Sequence, residues 1–209
     1  LLGPTGIGLY GLYVTTIGLT STITNFGLDV SGVKFISSIK STIIKKTDHF
    51  NLFKSLIVIS AFLGLIIVII FSPILSHFTF QNFNHQLAFA FLAIYVFFNQ
   101  LGHGNNTFLR ALRQKKKFAK SNLLSSLFSL LISVAFYYYL GINGIIPALV
   151  FSSLSYFVIS QAINSENSFS LYSFSIKNSL SKGKDILLMG ITYSFSGLLI
   201  IRLFMFTFL

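Results

Sequence analysis

The sequence contains two long stretches without a charged residue, one on each side of a short basic segment. Residues 55–109 and 121–165 hold no Lys, Arg, Asp or Glu, whereas residues 110–120 hold six Lys and Arg residues. A water-soluble fold of this size cannot bury two such stretches and still present a soluble surface. Membrane proteins show this pattern, because basic residues collect in cytoplasmic loops and avoid translocated ones. The pattern predicts an all-α membrane protein in which residues 110–120 form a cytoplasmic loop.

The composition agrees with a membrane protein and excludes other classes. The chain is 54% hydrophobic and 9% charged, with a mean hydropathy of +0.80, which is typical of proteins with several membrane spans. The net charge of +11 resembles that of a nucleic-acid-binding protein. The basic residues lie in short clusters between apolar stretches, however, so membrane orientation explains them and no nucleic-acid partner is expected. Cysteine is absent, which excludes disulfides and thiolate metal sites.

Six apolar segments are long enough to cross a hydrocarbon core of about 30 Å. Glycines and a proline in residues 1–8 predict a loop before the first span, and Pro73 is predicted to end the second. The glycines of residues 141–144 predict a tight turn between the fourth and fifth. The predicted spans are residues 9–33, 53–72, 87–112, 122–140, 145–163 and 186–209.

The basic residues fix the orientation of these spans. Fourteen of the 15 Lys and Arg residues lie in the three connections predicted to be cytoplasmic, at residues 34–54, 110–120 and 164–185, and the exception is Arg202. The predicted outer connections hold none, so the first span begins outside. We therefore expect the chain to be part of a longer protein, with at least one further span before it.

The first predicted span carries the only acidic residue within a span, Asp29. An intramembrane carboxylate is expensive and is a candidate functional group. Alternatively, Asp29 pairs with Lys34 at the inner interface. Asp29 belongs to a stripe of small and polar residues that suits close helix packing: Gly11, Thr15, Gly18, Thr22, Asn25, Asp29 and Gly32.

The third predicted span has one polar face at a period of 3.6 residues. This face predicts the lining of an aqueous cavity that opens to the cytoplasm. Two alternatives stay open, a helix end that emerges from the bilayer and amide contacts between packed helices. His103 is either a proton-coupling group or a packing residue. The polar face consists of Asn99, Gly102, His103, Asn106, Arg110 and Arg113.

The last predicted span contains Arg202, the only Lys or Arg outside the three basic connections. A central Arg costs about 2.5–3.5 kcal/mol on insertion scales. A fixed cation suits an anionic phosphate substrate, although Arg202 could instead extend to the outer headgroups.

Known catalytic arrangements are missing from the sequence. It has no Ser/His/Asp grouping, no paired carboxylates, no phosphate-binding glycine loop and no metal-spaced His/Asp/Glu set. We therefore expect no enzyme activity and no cofactor.

Three parts of the chain carry a resemblance to a known family. These are residues 2–10 leading to residues 25–37, residues 108–112 with the basic segment, and residues 140–148. They resemble bacterial polysaccharide flippases, the O-antigen and capsule exporters of the multidrug/oligosaccharidyl-lipid/polysaccharide superfamily. The resemblance implies helices two to seven of a two-lobed transporter with 12 to 14 helices. Residues 1–163 would be five helices of the N-terminal lobe, residues 164–185 a cytoplasmic linker and residues 186–209 the first helix of the second lobe.

The same resemblance implies the activity. Such proteins move a lipid-linked oligosaccharide, an O-antigen or capsule repeat unit on polyprenyl pyrophosphate, across the bacterial inner membrane by alternating access. The implied partners are the lipid bilayer, this substrate and other membrane proteins of polysaccharide assembly. The candidate residues of the substrate cavity are Asn25, Asp29, Asn99, His103, Asn106, Arg110 and Arg202.

Other functions fit the sequence less well. A multidrug or cation antiporter would need acids deep in the spans, where Asp29 stands alone. A membrane-bound glycan ligase or polymerase would need charged groups on a long outer loop, and residues 74–86 are uncharged. A non-transporting membrane scaffold would not need the polar faces of the first and third spans.

The orientation can be tested with single-cysteine variants, since the chain has no cysteine of its own. A membrane-impermeant maleimide applied to intact cells whose outer membrane is permeable should label Asn82→Cys, and should label Lys116→Cys only after the inner membrane is opened. The reverse pattern would invert the topology.

Overall fold

The computed structural model describes residues 2–38 and 43–165 and, within residues 183–192, residues 183, 184, 186, 188–190 and 192. No strand occurs in this part of the chain. Most of the predicted linker at residues 164–185, and most of the predicted span at residues 186–209 with Arg202, lie outside the described residues. The helices are α1 (Gly3–Thr24), α2 (Leu28–Ser37), α3 (Ile43–Phe80), α4 (Gln86–Ala111), α5 (Lys115–Leu140) and α6 (Ile145–Ile163), with a 3₁₀ turn at Gly141–Gly144.

Three helical stretches of the described residues are long and apolar enough to cross a membrane. They are His49–Phe80, Gln86–Ala111 and Lys115–Ile163, the last of which comprises α5 and α6. Large apolar side chains point outward from them, and Phe78 is 88% exposed. A continuous exposed apolar surface is unfavourable in water and favourable in lipid. The protein is an all-α membrane protein, as predicted.

The first predicted span is not one helix, so the prediction of a continuous helix over residues 9–33 is wrong, as is the loop at residues 1–8. The chain is already helical from Gly3, and the helix breaks after Thr24. Phe26 and Gly27 both have left-handed backbones, with φ of 48° and 63°. Two such residues in succession cannot continue a right-handed helix, and α2 begins at Leu28. Half of α1 is Gly or Thr, which lowers its hydropathy, and whether it spans the membrane stays a prediction.

Pro73 does not end the second predicted span. Helix α3 continues through it to Phe80, so the outer connection is only residues 81–85. Proline removes one backbone hydrogen bond from a helix. In lipid, leaving the helix would free many more backbone groups without water to satisfy them, so the helix persists.

The basic segment is mostly helix rather than loop. Helix α4 ends at Ala111 and α5 begins at Lys115, which leaves residues 112–114, where Arg113 has a φ of 57°. The lysines lie in the first turns of α5. Cations at a helix N-terminus oppose the helix dipole, so helix stability does not explain their position, whereas membrane orientation does.

Helix α4 lies at the centre and contacts all five other helices. A side chain at Gly102 would collide with the ring of Tyr156 on α6, and one at Gly104 would collide with Ile57 on α3. Glycine at these two positions lets the neighbouring helices pack closely on opposite sides of α4.

Two apolar clusters pack along α4. The cluster towards the predicted outer end includes Tyr13 and Phe89, and the Tyr13 hydroxyl lies 2.7 Å from Nδ1 of His85. The cluster towards the other end includes Phe53 and Phe108, whose rings meet edge to face at 5.3 Å. Buried polar residues lie where the two clusters adjoin, and they belong to the site described next.

Candidate functional site

The break between α1 and α2 is held by amide side chains. Asn25 Nδ2 donates a hydrogen bond to Asp29 Oδ2 at 2.7 Å, and Gln100 Nε2 donates to Asn25 Oδ1 at 2.6 Å. Gln100 also donates to Ser60 Oγ at 3.1 Å and is only 5% exposed. Irregular backbone within a membrane protein is tolerated where it is packed in protein or lines a cavity. The amide contacts connect this break to α3 and α4.

Asp29 faces two basic side chains of α4. Its Oδ2 lies 3.9 Å from His103 Nδ1, and its Oδ1 lies 3.9 Å from Arg110 Nη2. At these separations the attraction is electrostatic rather than a close hydrogen bond. The side chain of Asp29 is 29% exposed, so the carboxylate is within reach of water. Within the described part of the chain its ion-pair partners are on α4, and the predicted alternative of a pair with Lys34 is not formed.

Thr107 connects the two charged groups. Its hydroxyl donates its one proton to the His103 carbonyl at 2.9 Å, and Asp29 Oδ1 lies 3.4 Å away. Arg110 Nη2 donates to the Thr107 oxygen at 3.2 Å. Thr107 is completely buried, and its methyl group lies against Gly32 of α2. The guanidinium of Arg110 also lies 5.9 Å from the centre of the Phe118 ring on α5.

Two cavities lie on either side of one stripe of α4. The first, here called the acidic cavity, has a volume of about 240 Å³ and lies between α1, α2 and α4. Its walls are Gly18, Ser21, Thr22, Asn25, Asp29, Tyr95, Asn99, Gln100 and His103.

The second cavity, here called the serine cavity, has a volume of about 220 Å³ and lies between α4, α5 and α6. It shares Tyr95, Asn99 and His103 with the acidic cavity, so these residues form a wall common to both. The complete lining is Tyr95, Asn99, His103, Asn122, Ser125, Ser126, Ser129, Ser152, Ser153 and Tyr156.

Most of the sequence-predicted site residues come together. Asn25, Asp29, Asn99 and His103 line the acidic cavity, and Arg110 lies beside it through its contact with Asp29. Their role in substrate binding stays a prediction. Arg202, the remaining cation, lies outside the described residues.

Asn106 has a different position from the one predicted. It is 3% exposed and lines neither cavity. Its Nδ2 donates to Asn122 Oδ1 at 3.1 Å and to the Tyr156 hydroxyl oxygen at 2.8 Å. Asn106 therefore positions two residues of the serine cavity, and the alternative of amide contacts between packed helices holds at this residue.

Several residues of the site were not identified from sequence. Ser60 is a single polar residue in apolar surroundings, whereas Gln100 and Thr107 follow other polar residues but lie off the predicted polar face. Only their helix partners reveal what they do. The serines of α5 had a readable signal, since Ser121, Ser125, Ser129 and Ser133 recur every fourth residue and so share one helix face. In the described residues no three His, Asp or Glu side chains are grouped to hold a metal ion.

A family model described as polysaccharide biosynthesis protein matches residues 1–207. The chain belongs to this family. Searches of curated proteins and of solved structures find no match. Family membership indicates a role in polysaccharide biosynthesis or export, and it confirms the coarser part of the resemblance seen in the sequence.

Replacing Gln100 should remove the hydrogen bonds that connect the break between α1 and α2 to helices α3 and α4. Gln100→Met keeps the side-chain length but leaves the oxygens of Asn25 and Ser60 without their donor, which costs about 1–3 kcal/mol when a group is buried. We expect a lower thermal unfolding midpoint in detergent. Gln86→Met, at the exposed start of the same helix, should change the midpoint little. Equal midpoints for the two variants would show that the amide contacts do not hold the break.

Proposed function

We propose that the chain forms most of one lobe of a transporter for lipid-linked oligosaccharide in the bacterial inner membrane. The cargo is a glycan on polyprenyl pyrophosphate, which moves from the inner to the outer leaflet by alternating access. No covalent step is involved, so the protein is not an enzyme. The family match and the membrane helices support this proposal. The observation that carries it is the polar groove that the acidic cavity and the serine cavity form along α4. A carboxylate and two basic side chains lie beside this groove, next to a helix break.

The groove suits the headgroup of such a lipid. A sugar pyrophosphate needs polar surroundings, whereas a polyprenyl tail stays in lipid. From Tyr95 to His103 the cavity wall follows α4 for about 12 Å by helical rise, and Arg110 lies beyond it, 3.9 Å from Asp29. Arg110 lies at the end that the basic residues assign to the cytoplasm, where this cargo would be loaded. A guanidinium matches phosphate oxygens with paired donors and keeps its charge at any physiological pH.

Asp29 gives the groove a means of releasing its cargo. Without an anionic ligand, the carboxylate compensates the charge of Arg110 and lies next to His103. An entering pyrophosphate would compete with Asp29 for the same two basic groups, and its departure would restore the pairs seen here. The site then need not leave a cation uncompensated at any stage, which would be costly within a membrane.

The remaining parts of the transporter belong to the same proposal. Residues 164–185 would link two lobes, and the helix at residues 186–209 would begin the second one. Arg202 would supply a further cation for the phosphate groups of the cargo.

One rival function has a specific observation in its favour. Asp29 and His103 are both proton-binding groups, and they lie 3.9 Å apart. Such a pair also suits a proton-coupled multidrug or cation antiporter. A transporter of lipid-linked glycan would use the pair as a counter-ion or coupling site. In an antiporter the pair itself would be the site at which the proton is exchanged for the substrate.

The two functions can be separated in a strain that lacks its own lipid-linked oligosaccharide flippase. The gene, expressed with all of its flanking coding sequence, should restore surface polysaccharide. Arg110→Gln and Arg202→Ala should each lower the surface polysaccharide several-fold at an unchanged level of membrane-inserted protein, since each removes a phosphate-binding cation. Arg113→Gln, an exposed cation beyond the end of α4, is the matched control and should retain function.

Three other outcomes would contradict these expectations. Restoration of drug resistance without surface polysaccharide would favour the antiporter. Full polysaccharide with Arg110→Gln would remove Arg110 from the site, and full polysaccharide with Arg202→Ala would remove Arg202.

A further inference from the structure

The serine cavity differs in chemistry from the acidic cavity. Its lining consists of hydroxyl, amide and phenol groups, and none of the lining residues is Lys, Arg, Asp or Glu. His103, shared with the acidic cavity, is its only basic group. A charged phosphate would find its partners on the acidic side, and the serine side offers only neutral donors and acceptors.

Two hydroxyls in this lining have no hydrogen-bond partner in the described residues. Ser125 on α5 is 5% exposed and Ser152 on α6 is 9% exposed, and the buried Oγ of each is unpaired. Serines of membrane helices commonly donate to their own backbone, as Ser153 does to the Val150 carbonyl at 2.7 Å. A buried hydroxyl without a partner is unfavourable. Two of them on facing helices therefore point to a binding site for a polar ligand.

The walls around these hydroxyls are held in place. Asn106 donates to both Asn122 and Tyr156, which line the cavity. The Tyr156 ring meets the His103 ring edge to face at 5.5 Å, and it packs against Gly102. The phenol therefore presents a fixed apolar face and a polar tip. A preformed site of this kind loses little entropy when a ligand binds.

We propose that the serine cavity binds one neutral sugar ring of the transported glycan, an inference that rests on the proposed function. A sugar carries hydroxyls that donate and accept in every direction, as the serines, amides and phenols require. The volume of about 220 Å³ is below the roughly 300–1,000 Å³ of pockets for drug-sized ligands, so it suits one ring rather than a repeat unit. The common wall of Tyr95, Asn99 and His103 places this ring next to the pyrophosphate on the acidic side.

The test compares the affinities of one sugar-free lipid and two sugar-bearing lipids for the protein in nanodiscs. The probes are undecaprenyl pyrophosphate alone and undecaprenyl pyrophosphate that carries galactose or N-acetylglucosamine. The wild type should bind at least one sugar-bearing lipid about tenfold more tightly than the sugar-free lipid. In the double variant Ser125→Ala and Ser152→Ala this preference should disappear, because two neutral hydrogen bonds account for about that factor.

The affinity for the sugar-free lipid is the internal control for folding, and it should not change in the double variant. Ser155→Ala is the matched substitution, because Ser155 lies on α6 outside the cavity lining and donates to the Ser152 carbonyl at 3.0 Å. It should keep the sugar preference.

Contrary results distinguish a failure of the sugar site from a failure of the proposed function. A double variant that keeps the preference, or a wild type that binds all the lipids equally, would overturn the sugar site and leave the proposed function standing. A wild type that binds none of the lipids would overturn the proposed function, and the sugar site with it.

Discussion

The carboxylate of Asp29, which needs partners for its charge, is the constraint on which the rest of this structure depends. An ionised side chain at membrane depth costs about 2.5–3.5 kcal/mol on insertion scales unless it finds partners. Asp29 finds them in Asn25 within its own segment and in Thr107, His103 and Arg110 on α4. These contacts bring α2 against α4. Position 32 is glycine, where a side chain would collide with Phe53 on α3 and would crowd Thr107 on α4.

The helix break lies at the same place as this carboxylate. Asn25, at the end of α1, connects Asp29 to Gln100 by hydrogen bonds. The left-handed backbones of Phe26 and Gly27 redirect the chain, and the side chains of Asn25 and Asp29 on either side of them line the acidic cavity. Discontinuous helices are a recurrent way to build polar sites in transporters. Here the break, the carboxylate and the polar face of α4 are parts of one arrangement.

The sequence predicts the helices better than it predicts their ends. Helices α4, α5 and α6 agree with their predicted spans because length and hydropathy determine what can cross a bilayer. The prediction failed at Pro73, where breaker rules from water-soluble proteins do not hold in lipid, and at Phe26, whose left-handed backbone no propensity indicates. The polar face of α4 was visible as a period of 3.6 residues. Its partners were not, since Gln100 and Asn25 are 75 residues apart in sequence and periodicity carries no information about which helices pack together.

The two cavities share one wall on α4 but differ in chemistry. On one side lie charges that suit a phosphate, and on the other lie neutral groups that suit a sugar, with Tyr95, Asn99 and His103 between them. A sugar pyrophosphate has the same two chemistries joined by one bond. Under the proposed function, the common wall on α4 would contact both parts of this headgroup.

Water access to Asn99 tests this account most directly, because the account requires the common wall of the two cavities to be wet and open to the cytoplasm. In the cysteine-free chain, Asn99→Cys should react with a small water-soluble methanethiosulfonate reagent applied to inverted membrane vesicles. Ile66→Cys, on the outward face of α3 where the side chain is 48% exposed, should stay unreactive because lipid surrounds it. An Asn99→Cys variant that stays unreactive, or that reacts only from the opposite side of the membrane, would contradict the account.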